Sequence, residues 1–267
     1  MALAPPDAFQ RGVLEIEKFE VNRDYREKLI GVGLLSFKDF FFCKGLTAMR
    51  EVPGRLTVSV QFEDEMIYLK RHWKKSSPTR KSGPHFEAIT EWDNTQALHK
   101  DHINVPVPMA YGIGKIGGEA VSFYISKEVK GVQGDHFLRD HKLLDQKRKD
   151  FWSQLGVFAK EFHSKGYNHR DFYLCHIFVD VSGDKNLFSL IDLQRVQKRN
   201  KFRRRWIVKD LGQLFYSFPD SVSQSDKMRF FKAYRGAKKL SSSDKKLLQH
   251  VMQRVERMKS KHGEYLL

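Results

Sequence analysis

The segment 168-NHRDFYLCHIF-178 constrains this chain more than any other. Before it, Phe151, Trp152, Leu155, Phe158, Ala159 and Phe162 recur at helical spacing and Gly166 stands as a C-cap, which predicts a buried helix rather than a cofactor box. After it, Ile177-Phe-Val179, a Ser182-Gly183-Asp184 turn and Leu187 to Leu193 predict a short hairpin ending in 190-LIDLQR-195. Asp171 thus sits in a loop at the exit of a buried helix, and Asp192 follows 21 positions later at a strand end. An aspartate in the first position can accept the proton of an attacking hydroxyl, and one in the second can hold Mg²⁺ against phosphates. His169 and Arg170 read as structural, packing the loop and pairing with neighbouring groups.

The rest of the chain divides into a strand-rich first half and a helix-rich second half, joined near Lys127 to Gly131. Residues 1–45 mix helical and loop signals around Phe37, Phe40, Phe41 and Phe42. Leu56 to Phe62 and Met66 to Arg71 flank the acidic turn Glu63-Asp64-Glu65 as a hairpin. A Ser, Pro and Lys-rich loop from Lys74 to Pro84 precedes a helix over His85 to His99, and strands are expected near Val107 to Ile113 and Ala120 to Ile125. Helices are expected over Ile207 to Ser217, Asp226 to Tyr234 and Asp244 to Lys259, the last N-capped by Ser241 to Ser243. This pattern predicts a bilobal α+β protein: an extension over 1–45 packed on the N-lobe, an N-lobe over 46–128 and a helical C-lobe over 129–267.

Phosphoryl chemistry needs a cation on the nucleotide phosphates. Lys70 lies on a predicted strand, and Glu91, inside the next helix, is placed to orient it, with Glu87 one turn earlier as the fallback. No GxGxxG precedes Lys70. Gly54, in 50-REVPGRLTVSV-60, is the nearest residue that lets backbone approach a phosphate. The protein-kinase pattern carries Asn five residues after the base, where this chain has His176. An imidazole there is a weaker ligand for Mg²⁺, a phosphate donor or a packing residue, with phosphate or metal contact favoured.

Taken together, 50-REVPGRLT-57, 68-YLKRH-72, 91-EW-92, 169-HRDFYLCH-176, 191-IDLQR-195 and 205-RWIVKDL-211 resemble the bacterial lipopolysaccharide core heptose and Kdo kinases. The resemblance runs from about residue 45 to 220, and that family carries His where other kinases have Asn. It implies a protein-kinase-like fold, ATP and Mg²⁺ as cosubstrates, and a sugar hydroxyl of the lipopolysaccharide inner core as acceptor, heptose before Kdo. It places Lys70, Glu91, Asp171, His176 and Asp192 in their roles and makes Asp210 a buried anchor for the catalytic loop, with Lys209 simply solvated.

Charge agrees with an anionic acceptor. Lys plus Arg outnumber Asp plus Glu by 48 to 32, a formal charge of +16. Basic residues cluster in Lys70 to Lys81 (Arg71, His72, Lys74, Lys75, Arg80, Lys81) and Lys198 to Arg205, both expected to border the cleft. The anionic inner leaflet would be drawn to the same surfaces, at about 1 kcal/mol per basic residue. Peripheral association with the inner membrane is therefore expected, not insertion. The N-terminus lacks a signal-peptide pattern, no apolar run spans a bilayer, and Cys43 and Cys175 have no metal-like spacing, which points to a cytoplasmic protein. His163, Trp73 and Trp92 are expected as core residues and Cys175 as a packed one.

Other functions fit less well. A protein kinase would show DFG, APE and a Gly-rich loop, and an aminoglycoside- or choline-type kinase takes cationic acceptors that a basic cleft repels. A small-molecule kinase with another anionic acceptor stays open, as does a catalytically silent module binding anionic glycolipid. No nucleic-acid-reading motif is present, so nucleic acid is not expected as a partner, and no protein partner can be named.

Overall fold

Side-chain alternation along one strand organises the β-rich part of the molecule. The computed structural model describes residues 9, 12–43, 47–62, 65–73, 83–141, 143, 145–183, 185–201, 203–263 and 265. They fall into two units, residues 1–100 with 106–129 and residues 101–105 with 130–267. In the first, β1 (Leu14–Val21), β2 (Thr47–Val52), β3 (Arg55–Phe62), β4 (Glu65–His72), β5 (Pro108–Ile116) and β6 (Glu119–Lys127) form a six-stranded sheet in the order β1-β5-β6-β4-β3-β2. Every neighbouring pair is antiparallel.

Helices α1 (Arg26–Gly31) and α2 (Phe37–Phe42) precede β2, and α3 (Pro84–Lys100) connects β4 to β5. Ile67 and Leu69 of β4 join Phe123 and Ile125 of β6 and the fully buried Phe37, Phe40 and Phe41 of α2 in one core cluster. Phe123 stacks on Phe40 with ring centroids 4.9 Å apart. Tyr111 and Tyr124 belong to a separate cluster with Ala88 and Trp92 of α3. The space over Gly112 is filled by rings: a Cβ there would lie 2.5 Å from Phe123 and 2.8 Å from Phe37.

Arg71 and His72 were expected on a basic surface, and the structure corrects this: both are buried, because strand alternation points them into the two faces of the sheet. Arg71 closes the end of α2, donating from Nε to the Phe40 carbonyl at 3.2 Å and from Nη2 to the Cys43 carbonyl at 3.0 Å. A cation suits a helix C-terminus, where carbonyls lack intrahelical partners. Burial pulls the guanidinium below its usual range, and the Cys43 side chain opposes that. Replacing Arg71 by Met strands one buried and one part-buried acceptor and is expected to destabilise the first unit by about 3 kcal/mol. Urea denaturation followed by Trp fluorescence reads this out, and an unchanged midpoint would sink the assignment. The remaining basic positions Lys74, Lys75, Arg80 and Lys81, and the acidic turn at Glu63 and Asp64, lie outside the described residues.

In the second unit, β7 (Val132–Gln133), β9 (Ile177–Asp180) and β10 (Leu187–Leu190) form a three-stranded sheet, and β8 (Tyr167–Asn168) pairs with β11 (Gln197–Lys198). The helices are α4 (Gly134–Asp140), α5 (Asp145–Ser164), α6 (Arg204–Tyr216), α7 (Gln224–Arg235) and α8 (Ser242–His262). The apolar stripe of α5 is buried as its periodicity predicts. Gly166 turns the chain out of α5 at φ 85°, a left-handed conformation that glycine adopts without strain. Ser241 caps α8 in a reciprocal capping box with Asp244. No described helix is long and apolar enough to cross a membrane.

Candidate active site

In the first unit, strand and helix spacing set two acid–base rungs between β4 and α3. Residues two apart on a strand share a face, and residues four apart on a helix do the same. Lys70 Nζ pairs with Glu91 Oε1, and His72 Nε2 lies 3.3 Å from Glu87 Oε2. Glu91 is therefore the lysine's partner, while the fallback Glu87 serves His72. Both carboxylates are buried. The lysine tip is thereby aimed by a fixed group instead of ranging over its rotamers, which costs less entropy when an anion binds. Gly54 sits at φ 83° in the two-residue turn joining β2 to β3, and its carbonyl accepts from Trp73 N–H at 2.9 Å. The turn alone accounts for a glycine there.

In the second unit, α6 holds the loop 169–174 from below through three polar side chains on one face. Asp210 Oδ2 accepts from His169 N–H at 2.7 Å and Oδ1 from Arg170 N–H at 3.0 Å. Gln213 accepts from Phe172 N–H at 3.2 Å and donates to the Arg170 carbonyl at 2.8 Å. Ser217 Oγ accepts from Leu174 N–H at 2.9 Å. Positions 210, 213 and 217 follow the i, i+3, i+7 spacing of one helix face. These bonds hold Arg170 at φ 72°, a left-handed conformation costly for a side chain with a Cβ. His163 also faces Asp210, with Nε2 at 3.4 Å from Oδ2, while its Nδ1 lies 2.9 Å from the Tyr234 hydroxyl.

His169 ties this loop to the hairpin end. Its Nε2 lies 3.0 Å from the Ile191 carbonyl, which can only accept, so Nε2 carries the proton. Burial, then the charge of His176, hold the His169 imidazole down to about 4, so the ring is neutral. Ile191 N–H in turn donates to the His176 carbonyl at 3.0 Å. Asp192, the next residue, adopts φ 57° and opens a single 3₁₀ turn, Leu193–Arg195. Two loops are thus pinned at adjacent residues.

Around Asp171 the groups are close. Arg195 Nη1 donates to Asp171 Oδ1 at 2.5 Å and to Oδ2 at 2.7 Å. His176 Nδ1 lies 2.7 Å from the Asp171 carbonyl, and His176 Nε2 lies 3.7 Å from Asp192 Oδ2. Burial works against charge on His176, but the Cys175 side chain, the Asp192 carboxylate and the Asp171 carbonyl outweigh it and push the ring up to about 9. Nδ1 faces a carbonyl that can only accept and so carries a proton, while Nε2 lies at ion-pair distance from Asp192. Among the described residues no group of three His, Cys, Asp or Glu side chains is gathered for a metal. Asp192 supplies one partly exposed carboxylate, which is the kind of donor set Mg²⁺ takes when nucleotide phosphates and water complete its octahedron.

The model of the lipopolysaccharide kinase (Kdo/WaaP) family matches residues 46–234, more than half of the chain and a span that includes every residue of both groups above. The chain belongs to that family. Among its relatives, the lipopolysaccharide core heptose(I) kinase WaaP of Pseudomonas aeruginosa is 28% identical over 239 residues, covering 81% of this chain and 89% of the relative. WaaP of Escherichia coli K12 is 27% identical over 235 residues, covering 79% and 87%. A solved structure of WaaP in complex with acyl carrier protein superposes with a TM-score of 0.70 at 23% identity, covering 90% of this chain and 99% of that one. That likeness establishes the fold, a β-sheet unit and a helical unit. As a member of the lipopolysaccharide kinase family, the chain is an ATP-dependent phosphotransferase acting in lipopolysaccharide core synthesis.

Three participants escaped the sequence reading: Arg195, Gln213 and Ser217. For the last two the signal was present, since polar residues at helical spacing inside an otherwise apolar stretch must find buried partners. Arg195 stood inside the quoted 191-IDLQR-195 without a role, because nothing in the sequence says which carboxylate it reaches.

Proposed function

We propose that this family member transfers the γ-phosphoryl group of ATP to a heptose hydroxyl of the lipopolysaccharide inner core. The observation that supports heptose over Kdo is that relatives matched over most of their length are lipopolysaccharide core heptose(I) kinases. Lys70, oriented by Glu91, binds nucleotide phosphates. Asp171 accepts the acceptor's proton as the hydroxyl oxygen bonds to Pγ. The bond from Pγ to the β,γ-bridging oxygen breaks, and ADP departs with that oxygen. Asp192 is the residue that would hold Mg²⁺, with His176 orienting it; bound there, the ion would neutralise β- and γ-phosphate charge. Asp210, with Gln213 and Ser217, fixes the height of the loop and so the reach of Asp171.

The +16 charge supports an acceptor rich in phosphate and carboxylate, and it supports contact with the anionic inner leaflet. Incubating the protein with ATP, Mg²⁺ and lipopolysaccharide lacking core phosphate, then mapping the product by tandem mass spectrometry, tests the reading. A phosphate on heptose is expected. A phosphate found only on Kdo would overturn the acceptor assignment, and an unmodified core would overturn the lipopolysaccharide reading.

A further inference from the structure

Arg195 divides its guanidinium between two tasks. Nη1 lies 2.5 and 2.7 Å from the two carboxylate oxygens of Asp171. Among the described residues, the Nε and Nη2 groups make no hydrogen bond, and the side chain is one-third exposed, at 33%. A planar fork with one arm occupied and the other open is suited to a second oxyanion, because guanidinium donors match tetrahedral phosphate oxygens.

Its place in the chain points the same way. Asp192 opens the 3₁₀ turn that Arg195 closes. The turn therefore holds Arg195 within one short element of the carboxylate that would hold Mg²⁺. The surroundings are also rich in cations. Lys209, half-buried on α6, is pulled below its usual range by burial and then by the charges of Arg170 and Arg195, with Asp210 and Asp171 opposing. Arg170, Arg195 and Lys209 therefore share this neighbourhood, and of the carboxylates near them Asp210 is spent on loop amides while Asp192 faces His176.

Resting on the phosphotransferase reading above, we infer that Arg195 is a catalytic residue: while Nη1 holds Asp171, its open arm contacts an oxygen of the phosphoryl group in transit. Charge bookkeeping supports this. As the acceptor's proton reaches Asp171, the carboxylate loses the charge that balanced Arg195. The electron density of the breaking bond moves to the bridging oxygen of ADP, and the equatorial oxygens of the transferred group carry charge throughout. A cation released by the base at that moment is worth more in the transition state than in the ground state, which is the condition for raising kcat.

The test compares Arg195→Ala and Arg195→Lys in wild-type and Asp171→Asn backgrounds. Steady-state kinetics are paired with calorimetric affinities for ADP and for ADP with aluminium fluoride, a mimic of the transferred phosphoryl group. Arg195→Ala is expected to lower kcat by about 100-fold or more, with KM for ATP changed by about threefold at most. Affinity for ADP–aluminium fluoride falls about tenfold or more in both backgrounds while ADP affinity holds, and Lys recovers part of each loss.

If the fluoride complex weakens only where Asp171 is intact, Arg195 acts solely through the base and the inference fails. A raised KM for the glycolipid with unchanged kcat would also overturn it, assigning the arm to an anionic group of the acceptor. Melting temperatures separate these outcomes from misfolding, and the lysine variant carries the test should alanine not fold. A wild-type protein that binds ADP–aluminium fluoride but transfers nothing to lipopolysaccharide would instead defeat the parent reading.

Discussion

Asp171→Asn is expected to lower turnover by about 10²- to 10⁴-fold while leaving nucleotide affinity within a few-fold of wild type. Asparagine keeps the size of the side chain but cannot take up the acceptor's proton. In the proposed reading the nucleotide phosphates are bound by Lys70 and Glu91, an ion pair that belongs to the other unit. The substitution also leaves Arg195 Nη1 a single neutral acceptor, the amide oxygen, in place of two charged ones. A kcat fall without a matching rise in KM is the signature of a lost transition-state contact. Single-turnover transfer with labelled ATP, alongside equilibrium nucleotide binding, reads both quantities. Turnover within threefold of wild type would remove Asp171 from the role of base.

The second large effect is expected at Asp210, in stability and activity together. Its carboxylate is fully buried and accepts the amides of His169 and Arg170, two residues that flank the turn before Asp171. In Asp210→Ala both amides lose their acceptor inside the protein, at about 1–3 kcal/mol each. Arg170, left-handed at φ 72°, loses one of the bonds that hold it there. The loop then relaxes, and a displacement of the base by about 1 Å is enough to cost about 100-fold in rate. Asp210→Asn should fall between, since one amide oxygen can still accept while its nitrogen opposes the other N–H. Urea unfolding and kcat measured on the same preparations check this. Asp210→Ala with wild-type stability and rate would mean that the loop is held by Gln213 and Ser217 alone.

Much of the second unit was legible in the sequence because its signals are local. The stripe of α5, the hairpin of β9 and β10, and the capping serine of α8 each follow from periodicity or cap chemistry. The first unit was harder, for a physical reason. Strand β1 was missed within a region read as helix and loop: its apolar residues Leu14 and Ile16 share one parity and Phe19 and Val21 the other, because the register slips between Ile16 and Lys18. A bulge erases the period that identifies a strand. The slip between Ala48 and Arg50 obscures β2 in the same way.

At the candidate site, the long-range pairs Lys70 with Glu91 and the Asp210 anchor were readable through motif order. Arg71 was misjudged because a charged residue inside a basic run reads as solvated, whereas strand parity sends it to the end of α2. For His176 the sequence leaves metal ligand, phosphate donor and packing residue open, with phosphate or metal contact favoured; in the structure its two nitrogens face the Asp171 carbonyl and the Asp192 carboxylate. Hydrogen-bond direction of that kind is fixed by tertiary geometry and leaves no trace in residue spacing.

Transfer of ³²P from γ-labelled ATP to purified lipopolysaccharide from a strain lacking core phosphate tests phosphorylation of the core most directly. With wild-type protein and Mg²⁺, label is predicted in the core sugar fraction and not in lipid A, increasing with time until acceptor is consumed. Lipopolysaccharide that stays unlabelled, under conditions where the protein binds ADP, would contradict the account.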